Sequence, residues 1–251
     1  MKFHICCQSS KFFTGILTSL VGSLRDLGHL ESNYDNSELI FGIKLFPSSI
    51  QKEKGKRYFL IQTEQYNHNP QGIEKVYNFK PDKVLGFDID NKREEYFPIG
   101  YHPSLEVHNI SPERDIKKQN VSLLGAETDR RIIFRSKIKN HFNFIKEYDI
   151  TRKVNMCKQT TINLNIHSYE NAGRFCEWDR ISLLLANKCF FMSEDMYCPL
   201  KDIIYFNIDN YDKLVEDYSK DKDLRFMITE SLYKEYYNKL DMRKIMENIL
   251  R

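Results

Sequence analysis

The chain has 251 residues, 41% hydrophobic and 29% charged, a composition typical of globular proteins with a sizeable core. Its formal net charge of +3 is too small to indicate a nucleic-acid partner, so we expect none, although it suits a small anionic ligand. No apolar run is long enough to cross a bilayer, and polar residues interrupt the N-terminus, which makes it a poor signal peptide. These features predict a cytoplasmic protein without a membrane span.

The six cysteines argue against a structural metal site. None form a C-x-x-C pair, and no Cys or His cluster has zinc-ligand spacing. Several lie in apolar runs, which is typical of buried free thiols in a reducing compartment. We therefore expect neither disulfides nor a bound metal.

Strand and helix patterns alternate along the first half of the chain. Residues 2–8 predict a strand, and residues 12–27 predict an amphipathic helix that Ser9 or Ser10 could cap. Further strands are predicted at residues 38–46, 57–63, 76–79, 84–88 and 95–99. This order is typical of a parallel sheet with crossover helices.

A polar, charged segment at residues 109–120 predicts a linker, after which the pattern restarts. The second series consists of a strand at 121–125, a helix at 130–140, a strand near 143–147 and a helix near 151–158. The sequence therefore predicts an α/β protein with domains at residues 1–110 and 111–230, and a C-terminal helix at 231–251 that could return to the first domain.

The most informative stretch is residues 160–194. It predicts a strand at 161–167, a loop at 168–175, a helix at 176–187 and a strand at 189–193, and further on a strand at 202–206 and helices at 211–219 and 224–250. Open α/β sheets bind phosphorylated ligands where a loop leaves a strand and enters a helix. Five polar residues crowd that junction and are candidate ligand contacts: His167, Tyr169, Glu170, Glu177 and Arg180.

This stretch resembles the nucleotide-binding half of GT-B glycosyltransferases. The shared pattern is a strand ending in Asn-x-His, an acidic residue (Glu177) opening a helix, Arg180 three residues later, then the letters LLAN and a strand ending in Ser193-Glu194. The resemblance is closest to the small enzymes of large DNA viruses (chlorovirus and mimivirus type) and of bacterial surface-glycan clusters. It implies two Rossmann-like domains that face each other across a cleft.

The resemblance also implies an activity. Such an enzyme moves a sugar from a UDP-, GDP- or dTDP-linked donor to a hydroxyl of an oligosaccharide or glycoprotein, as a hexosyl- or pentosyltransferase, and needs no metal. Glu177 would accept hydrogen bonds from the ribose hydroxyls, and Arg180, Arg130 and Arg131 would stabilise charge that develops on the leaving diphosphate. Gly125 opens the loop that carries the last two arginines.

Two further assignments concern the acceptor side. The segment containing Gly100, Tyr101 and His102 resembles a hinge-proximal stretch of these enzymes and could line the cleft. An inverting transferase needs a base for the acceptor proton, and Glu64, which follows an apolar strand, fits that position. A retaining mechanism would need no such base. Other candidates for the base, besides Glu64, are Asp26, His29, Asp35 and His68.

Two alternatives remain open. Asp88 and Asp90 resemble the D-x-D motif of metal-dependent GT-A transferases, because two carboxylates at this spacing can ligate Mn²⁺ or Mg²⁺. A protein that binds nucleotide sugars without catalysis would share most of these features. Sensitivity to a chelator tests the first alternative, and donor binding without turnover tests the second.

Overall fold

Two parallel β-sheets follow one another along the chain in the computed structural model, which describes residues 1–7, 13–63, 74, 77–89, 91–108, 119–169 and 175–251. The first sheet has six strands in the order β2-β1-β3-β4-β5-β6, and each neighbouring pair is parallel. Its elements are β1 (Lys2–Cys6), α1 (Thr14–Asp26), β2 (Leu30–Glu31), β3 (Leu39–Ile43), β4 (Arg57–Gln62), β5 (Lys83–Gly86) and β6 (Glu95–Tyr96).

The second sheet has five strands in the order β11-β10-β9-β7-β8, again all parallel. Its strands and helices are β7 (Gln119–Leu124), α2 (Asp129–Ser136), β8 (Asn143–Ile145), α3 (Ile150–Gln159), β9 (Thr160–Asn165), α4 (Trp178–Ala186), β10 (Phe191–Ser193), β11 (Ile204–Tyr205), α5 (Tyr211–Lys220), α6 (Lys222–Lys239) and α7 (Met242–Leu250). The predicted α/β class with two parallel sheets is confirmed.

The strand order explains why a site forms where it does. In both sheets the order reverses after the first strand, so the loops after neighbouring strands leave towards opposite faces. In the second sheet this switch lies between β7 and β9. Ligands of open parallel sheets bind outside the carboxyl ends of the strands at such a point, because the diverging loops leave a crevice there.

The central strands are buried on both faces, as expected for parallel sheets covered by helices. All five residues of β3 are buried, and β9 buries its polar side chains as well as its apolar ones. Asn163 and Asn165 have no exposed surface. Their hydrogen-bond partners therefore lie inside the protein: Asn163 Nδ2 donates to two backbone carbonyls, and the Asn165 amide contacts Ser193 and Arg180.

The chain crosses between the sheets at two places that touch each other. Tyr101, just after the first sheet, donates its N–H to Leu240 O (2.5 Å), and Met242 N–H donates to Tyr101 O (3.0 Å). Arg57 at the start of β4 donates to Leu250 O (2.6 Å). Helix α7 therefore lies against the first sheet, and its apolar side chains share one core with α1.

Several element boundaries differ from the predictions. Residues 77–79 belong to a helical turn rather than a strand, because Asn78 N–H bonds back to Glu74 O. The predicted helix at 224–250 is divided into α6 and α7 by Leu240 and Asp241, where the Asp241 side chain caps α7. The two-residue strand β2 was not predicted, because it is exposed and lacks an apolar pattern. Ser9 and Ser10 lie outside the described residues.

Among the described residues, no helix combines the length and the apolar character that crossing a membrane requires.

Candidate functional site

A cavity of about 570 Å³ lies where the carboxyl ends of strands from both sheets meet. The first half of the chain contributes a largely apolar wall from α1 and from the residues after β4 and β5. The second half contributes a polar wall from the loops after β7, β8 and β9 and from the start of α4. The lining residues used below are Thr63, Gly125, Glu127, Lys146, Glu147, Lys153, Tyr169, Glu177, Asp179 and Arg180.

Gly125 ends β7 and allows two arginines to approach the cavity wall. Its φ of +145° is a conformation that residues with a side chain rarely adopt. A Cβ at this position would lie 3.2 Å from Arg131 Nη1 and 3.2 Å from Arg180 Nη2. The glycine therefore leaves room for both guanidinium groups beside the loop.

Arg131 lies behind the wall and organises the loops around it. Its side chain is only 2% exposed, and it donates to Ile166 O (2.9 and 2.6 Å) and to Ala126 O (2.9 Å). Burial, reinforced by the positive charge of Arg180, lowers the Arg131 pKa to about 10. Arg131 stays a cation at neutral pH and joins the loops after β7 and β9.

Glu177 lies between the two arginines at the beginning of α4. Its Oε1 is 3.4 Å from Arg131 Nη2, and its Oε2 is 2.7 Å from Arg180 Nη1 without the geometry of a hydrogen bond. Burial opposes ionisation, but the charges of Arg180 and Arg131 outweigh it and hold the Glu177 pKa below its ordinary value. This carboxylate lines the cavity, and its buried Oε2 has no hydrogen-bond donor within the described part of the chain.

Arg180 is held by two groups. Its Nη1 donates to Asn165 Oδ1 (2.5 Å) and ion-pairs with Glu177. Both partners are largely buried, so the guanidinium has a defined direction along the cavity wall. A fixed cation of this kind stabilises negative charge without a reorganisation cost.

The sequence analysis did not identify two residues of the cavity wall, Lys153 and Asp179. Lys153 is only 5% exposed although it lines the cavity, and no ion pair with it is found in the described part of the chain. Asp179 accepts the Ile16 N–H of α1 (3.1 Å), which caps a helix that has no side-chain cap of its own. Lys153 looks like an ordinary helical lysine and Asp179 like a first-turn acid, so only their tertiary positions reveal them.

Arg130 and His167 support the site without lining the cavity. Arg130 forms a double ion pair with Glu194 (2.8 and 2.5 Å) and donates to His167 O (2.9 Å). Glu194 also accepts the His167 N–H (2.7 Å). These bonds fix the loop after β9, which carries Tyr169. The Tyr169 side chain lines the cavity and is 54% exposed.

Gly100, Tyr101 and His102 are not among the residues that line this cavity. Gly100 and Tyr101 contact the segment between α6 and α7. His102 accepts the Ser104 N–H at Nδ1 (3.1 Å), and its Nε2 lies 3.2 Å from Asp26 Oδ2. Gly100 and Tyr101 thus join the two crossings of the chain, while His102 lies beside α1, and the substrate contact of these three residues stays a prediction.

Some predicted residues lie outside the described part of the chain: Glu64, His68, Asp90 and Glu170. Thr63, directly before Glu64, lines the cavity. The role of Glu64 as a base stays a prediction, because Glu64 itself is not among the described residues. Among the described residues, no group of three or more His, Cys, Asp or Glu side chains is placed to hold a metal ion.

No protein-family model matches the chain, and no curated protein is detectably similar in sequence. Similarity appears only in three dimensions. An α-glucosyltransferase in complex with UDP and a 13-mer DNA containing an HMU base superposes with a TM-score of 0.68 at 10% identity, over 99% of this chain and 98% of the other.

Two further enzymes share the fold. The β-glucosyltransferase of phage T4 with UDP-glucose gives a TM-score of 0.56 at 12% identity, over 100% of this chain and 98% of the other. An α1,3-fucosyltransferase with GDP gives 0.53 at 13% identity, over 100% and 89%. The predicted GT-B fold is therefore confirmed. At these identities the likeness establishes the fold and leaves the activity open.

The expectation of no nucleic-acid partner is wrong. Three of the similar structures are α-glucosyltransferase complexes with DNA, which hold an abasic site, an HMU base or an A:G mismatch. The expectation relied on a whole-chain charge of +3, and an average conceals local charge. Residues 127–158, which form much of the polar wall and its flanking helices, contain nine Lys and Arg against four Asp and Glu.

Proposed function

We propose that the protein is a glycosyltransferase that moves a hexose, with glucose as the first candidate, from a UDP-linked donor to a hydroxyl group of a modified base in DNA. The observation that carries the donor half is the arrangement of Arg131, Glu177 and Arg180 around Gly125 at the switch point of the second sheet. The acceptor half is supported by the whole-chain likeness to DNA-bound α-glucosyltransferases.

The polar wall suits a nucleoside diphosphate. Arg180 and Lys153 are cations on the cavity, and Arg131 stands behind them. As the bond between the sugar and the diphosphate breaks, negative charge grows on the phosphate oxygen, and fixed cations there lower the barrier by about 3 kcal/mol each. Because side chains can supply this charge, the proposed reaction needs no metal.

Glu177 is proposed to hold the donor ribose. Its pKa is held low, so it is ionised at neutral pH and accepts hydrogen bonds from both hydroxyls of the ribose. The Glu177→Gln variant keeps the shape but loses the charge, and we expect it to weaken donor binding about 10–100-fold, since hydrogen bonds to charged groups contribute about 1.5–3 kcal/mol.

The first half is proposed to receive the acceptor. Its wall is mainly apolar, with Thr63 as a polar exception, and suits an uncharged ring better than a phosphate. Glu64 follows directly and is proposed to take the proton from the acceptor hydroxyl in an inverting reaction. The anomeric configuration of the product, read by NMR, tests this role because a retained configuration needs no such base.

The test is a transfer assay with UDP-glucose and a duplex containing a hydroxymethylated base, with unmodified DNA and a panel of oligosaccharides in parallel arms. We expect hexose on the modified DNA by mass spectrometry, with and without EDTA. Transfer to an oligosaccharide alone would identify the acceptor as a glycan. Loss of activity with EDTA would favour the Asp88 and Asp90 metal site, and donor binding without transfer to any acceptor would favour a binding protein.

A further inference from the structure

The carboxylates on the cavity wall are not equally compensated. Glu127 ion-pairs with Lys146 (2.7 Å), and Glu147 accepts two backbone N–H groups of its own loop, those of Tyr148 and Asp149. Glu177 lies between two arginines. Asp179 is the fourth carboxylate, and within the described part of the chain no cation lies within ion-pairing distance of it.

Asp179 is instead held by uncharged groups. It accepts the backbone N–H of Ile16 at the start of α1 (3.1 Å), and the neighbouring N–H of Gly15 also favours its ionised form. A Cβ on Gly15 would lie 2.6 Å from Asp179 O and 3.2 Å from Asp179 Oδ1. Helix α1 is therefore packed directly against this carboxyl group, which leaves it little freedom to turn away from the cavity.

The charged groups around Asp179 come from two helices. Lys153 of α3 and Arg180 of α4 both favour its ionised form, while α1 presents only backbone N–H groups. Arg180 is already engaged by Asn165 and Glu177. Lys153 is thus the principal cation that offsets the Asp179 charge, and it is also a cation that an anionic ligand would attract.

We propose that Asp179 takes up a proton when the anionic donor binds, so that the cavity accepts a diphosphate without a repelling carboxylate beside it. This inference rests on the proposed function, since it assumes a diphosphate next to Arg180 and Lys153. A negative charge within about 4–6 Å disfavours ionisation of a carboxyl group, and the diphosphate also draws the Lys153 charge towards itself. The proton comes from solvent and stays on Asp179.

The ionisation behaviour of the free protein supports this coupling. Burial raises the Asp179 pKa to about 6, although Lys153 and the two N–H groups of α1 act against the rise. The group is therefore mostly ionised at neutral pH before the donor binds, and a bound diphosphate that weakens its acidity about a hundredfold would leave it mostly protonated. Glu177 behaves oppositely, because its two arginines keep it ionised.

Calorimetry with UDP-glucose tests the inference. The diphosphate of UDP-glucose is a diester, so the ligand itself binds no proton near neutrality. Titrations at about pH 7 in two buffers with different ionisation enthalpies give the number of protons taken up. We expect the wild-type protein to take up most of one proton, and its affinity to fall by up to about tenfold per pH unit as the pH rises from about 6.5 to 8.

The matched variants are Asp179→Asn and Glu94→Gln. The asparagine keeps an oxygen for the Ile16 N–H but cannot titrate, so we expect no proton uptake and an affinity independent of pH over this range. Glu94 also has a raised pKa, about 7, but does not line the cavity. The Glu94→Gln variant should therefore take up as many protons on binding UDP-glucose as the wild type does.

Three results would overturn the inference. The first is wild-type binding without proton uptake, which decides the matter even if Asp179→Asn does not fold. The second is the same uptake in folded Asp179→Asn as in the wild type. The third is no binding of UDP-glucose or of a GDP-sugar at all, which would overturn the proposed function together with the coupling and is distinguished from the others by the absence of any heat.

Discussion

Asn165 accepts a hydrogen bond from Arg180, with 2.5 Å between Asn165 Oδ1 and Arg180 Nη1. The asparagine has no exposed surface, and its Nδ2 donates to Ser193 Oγ (2.9 Å), so its amide is fixed from both sides. A buried side chain of β9 thereby sets the direction of a cation on the cavity wall. Two adjacent strands and helix α4 must pack correctly before Arg180 can act.

Replacing Asn165 by alanine should therefore lower turnover as well as stability. We expect a loss of about 1–3 kcal/mol in the free energy of unfolding and a fall of about a hundredfold in kcat, because the arginine loses its alignment. Asn163→Ala is the matched control. Asn163 is equally buried in the same strand, but its amide bonds to Cys157 O and Phe190 O. An equal kcat loss in both variants would argue against a positioning role for Asn165.

Alanine variants of Arg180 and Arg130 should separate an effect on kcat from an effect on stability. Arg180 lines the cavity, so Arg180→Ala is expected to lower kcat by about 10²–10³ in the transfer assay. Arg130 instead pairs with Glu194, so Arg130→Ala should lower the free energy of unfolding by about 3 kcal/mol, with a smaller effect on kcat. If Arg130→Ala lowers kcat more than Arg180→Ala does, while the free energy of unfolding is unchanged, the result would support the sequence-based assignment of Arg130 as catalytic over a positioning role.

Gly125→Ala should impair donor binding as well as stability. The positive φ predicts a strain of about 1–3 kcal/mol, and the new methyl group would meet Arg131 and Arg180. Gly28 provides the control, because its φ is also positive and a Cβ there would meet nothing within 4 Å. Thermal unfolding and calorimetry should show that Gly28→Ala loses stability only. Unchanged UDP-glucose affinity in Gly125→Ala would place the donor elsewhere.

Stability should decline as the pH rises through neutrality, in part because of Glu94. Burial, with the nearby Asp88 charge, raises its pKa to about 7 from an ordinary value of 4.5, despite hydrogen bonds from Tyr77 and Asn91. The folded state thus binds the proton more tightly than the unfolded state. The associated stabilisation is fully present below about pH 4.5 and is lost as the pH rises through about 7.

Denaturant unfolding at about pH 5 and pH 8 measures this effect. We expect Glu94→Gln to remove about 1–3 kcal/mol of the difference between the two pH values, since glutamine still accepts the Tyr77 and Asn91 bonds. The Asp179 carboxyl, whose pKa is also raised, acts in the same direction, and Asp179→Asn should remove a further part. A pH dependence that neither variant changes would show that other groups dominate this range.

The sequence predicted several parts of the site because they rest on local patterns. The alternation in β9 and the helical spacing of α4 place Glu177 and Arg180 at a strand-to-helix junction, and the loop after β7 brings Gly125 and Arg131 into the same region. Lys153 and Asp179 could not be predicted in this way. Each occupies an ordinary helical position, and their importance depends on α1 and α3 packing around the same cavity.

By itself, then, the sequence determined the two series of strands and helices, since the burial of apolar residues at regular intervals is a local property of the chain. It did not determine which of three arginines faces the cavity, nor that Gly100 and Tyr101 contact the segment between α6 and α7 while His102 lies beside Asp26. Those outcomes depend on contacts between residues far apart in sequence, such as Asp179 with Ile16 and Arg130 with Glu194. The charge around the cavity is likewise a property of the folded surface, which no whole-chain average contains.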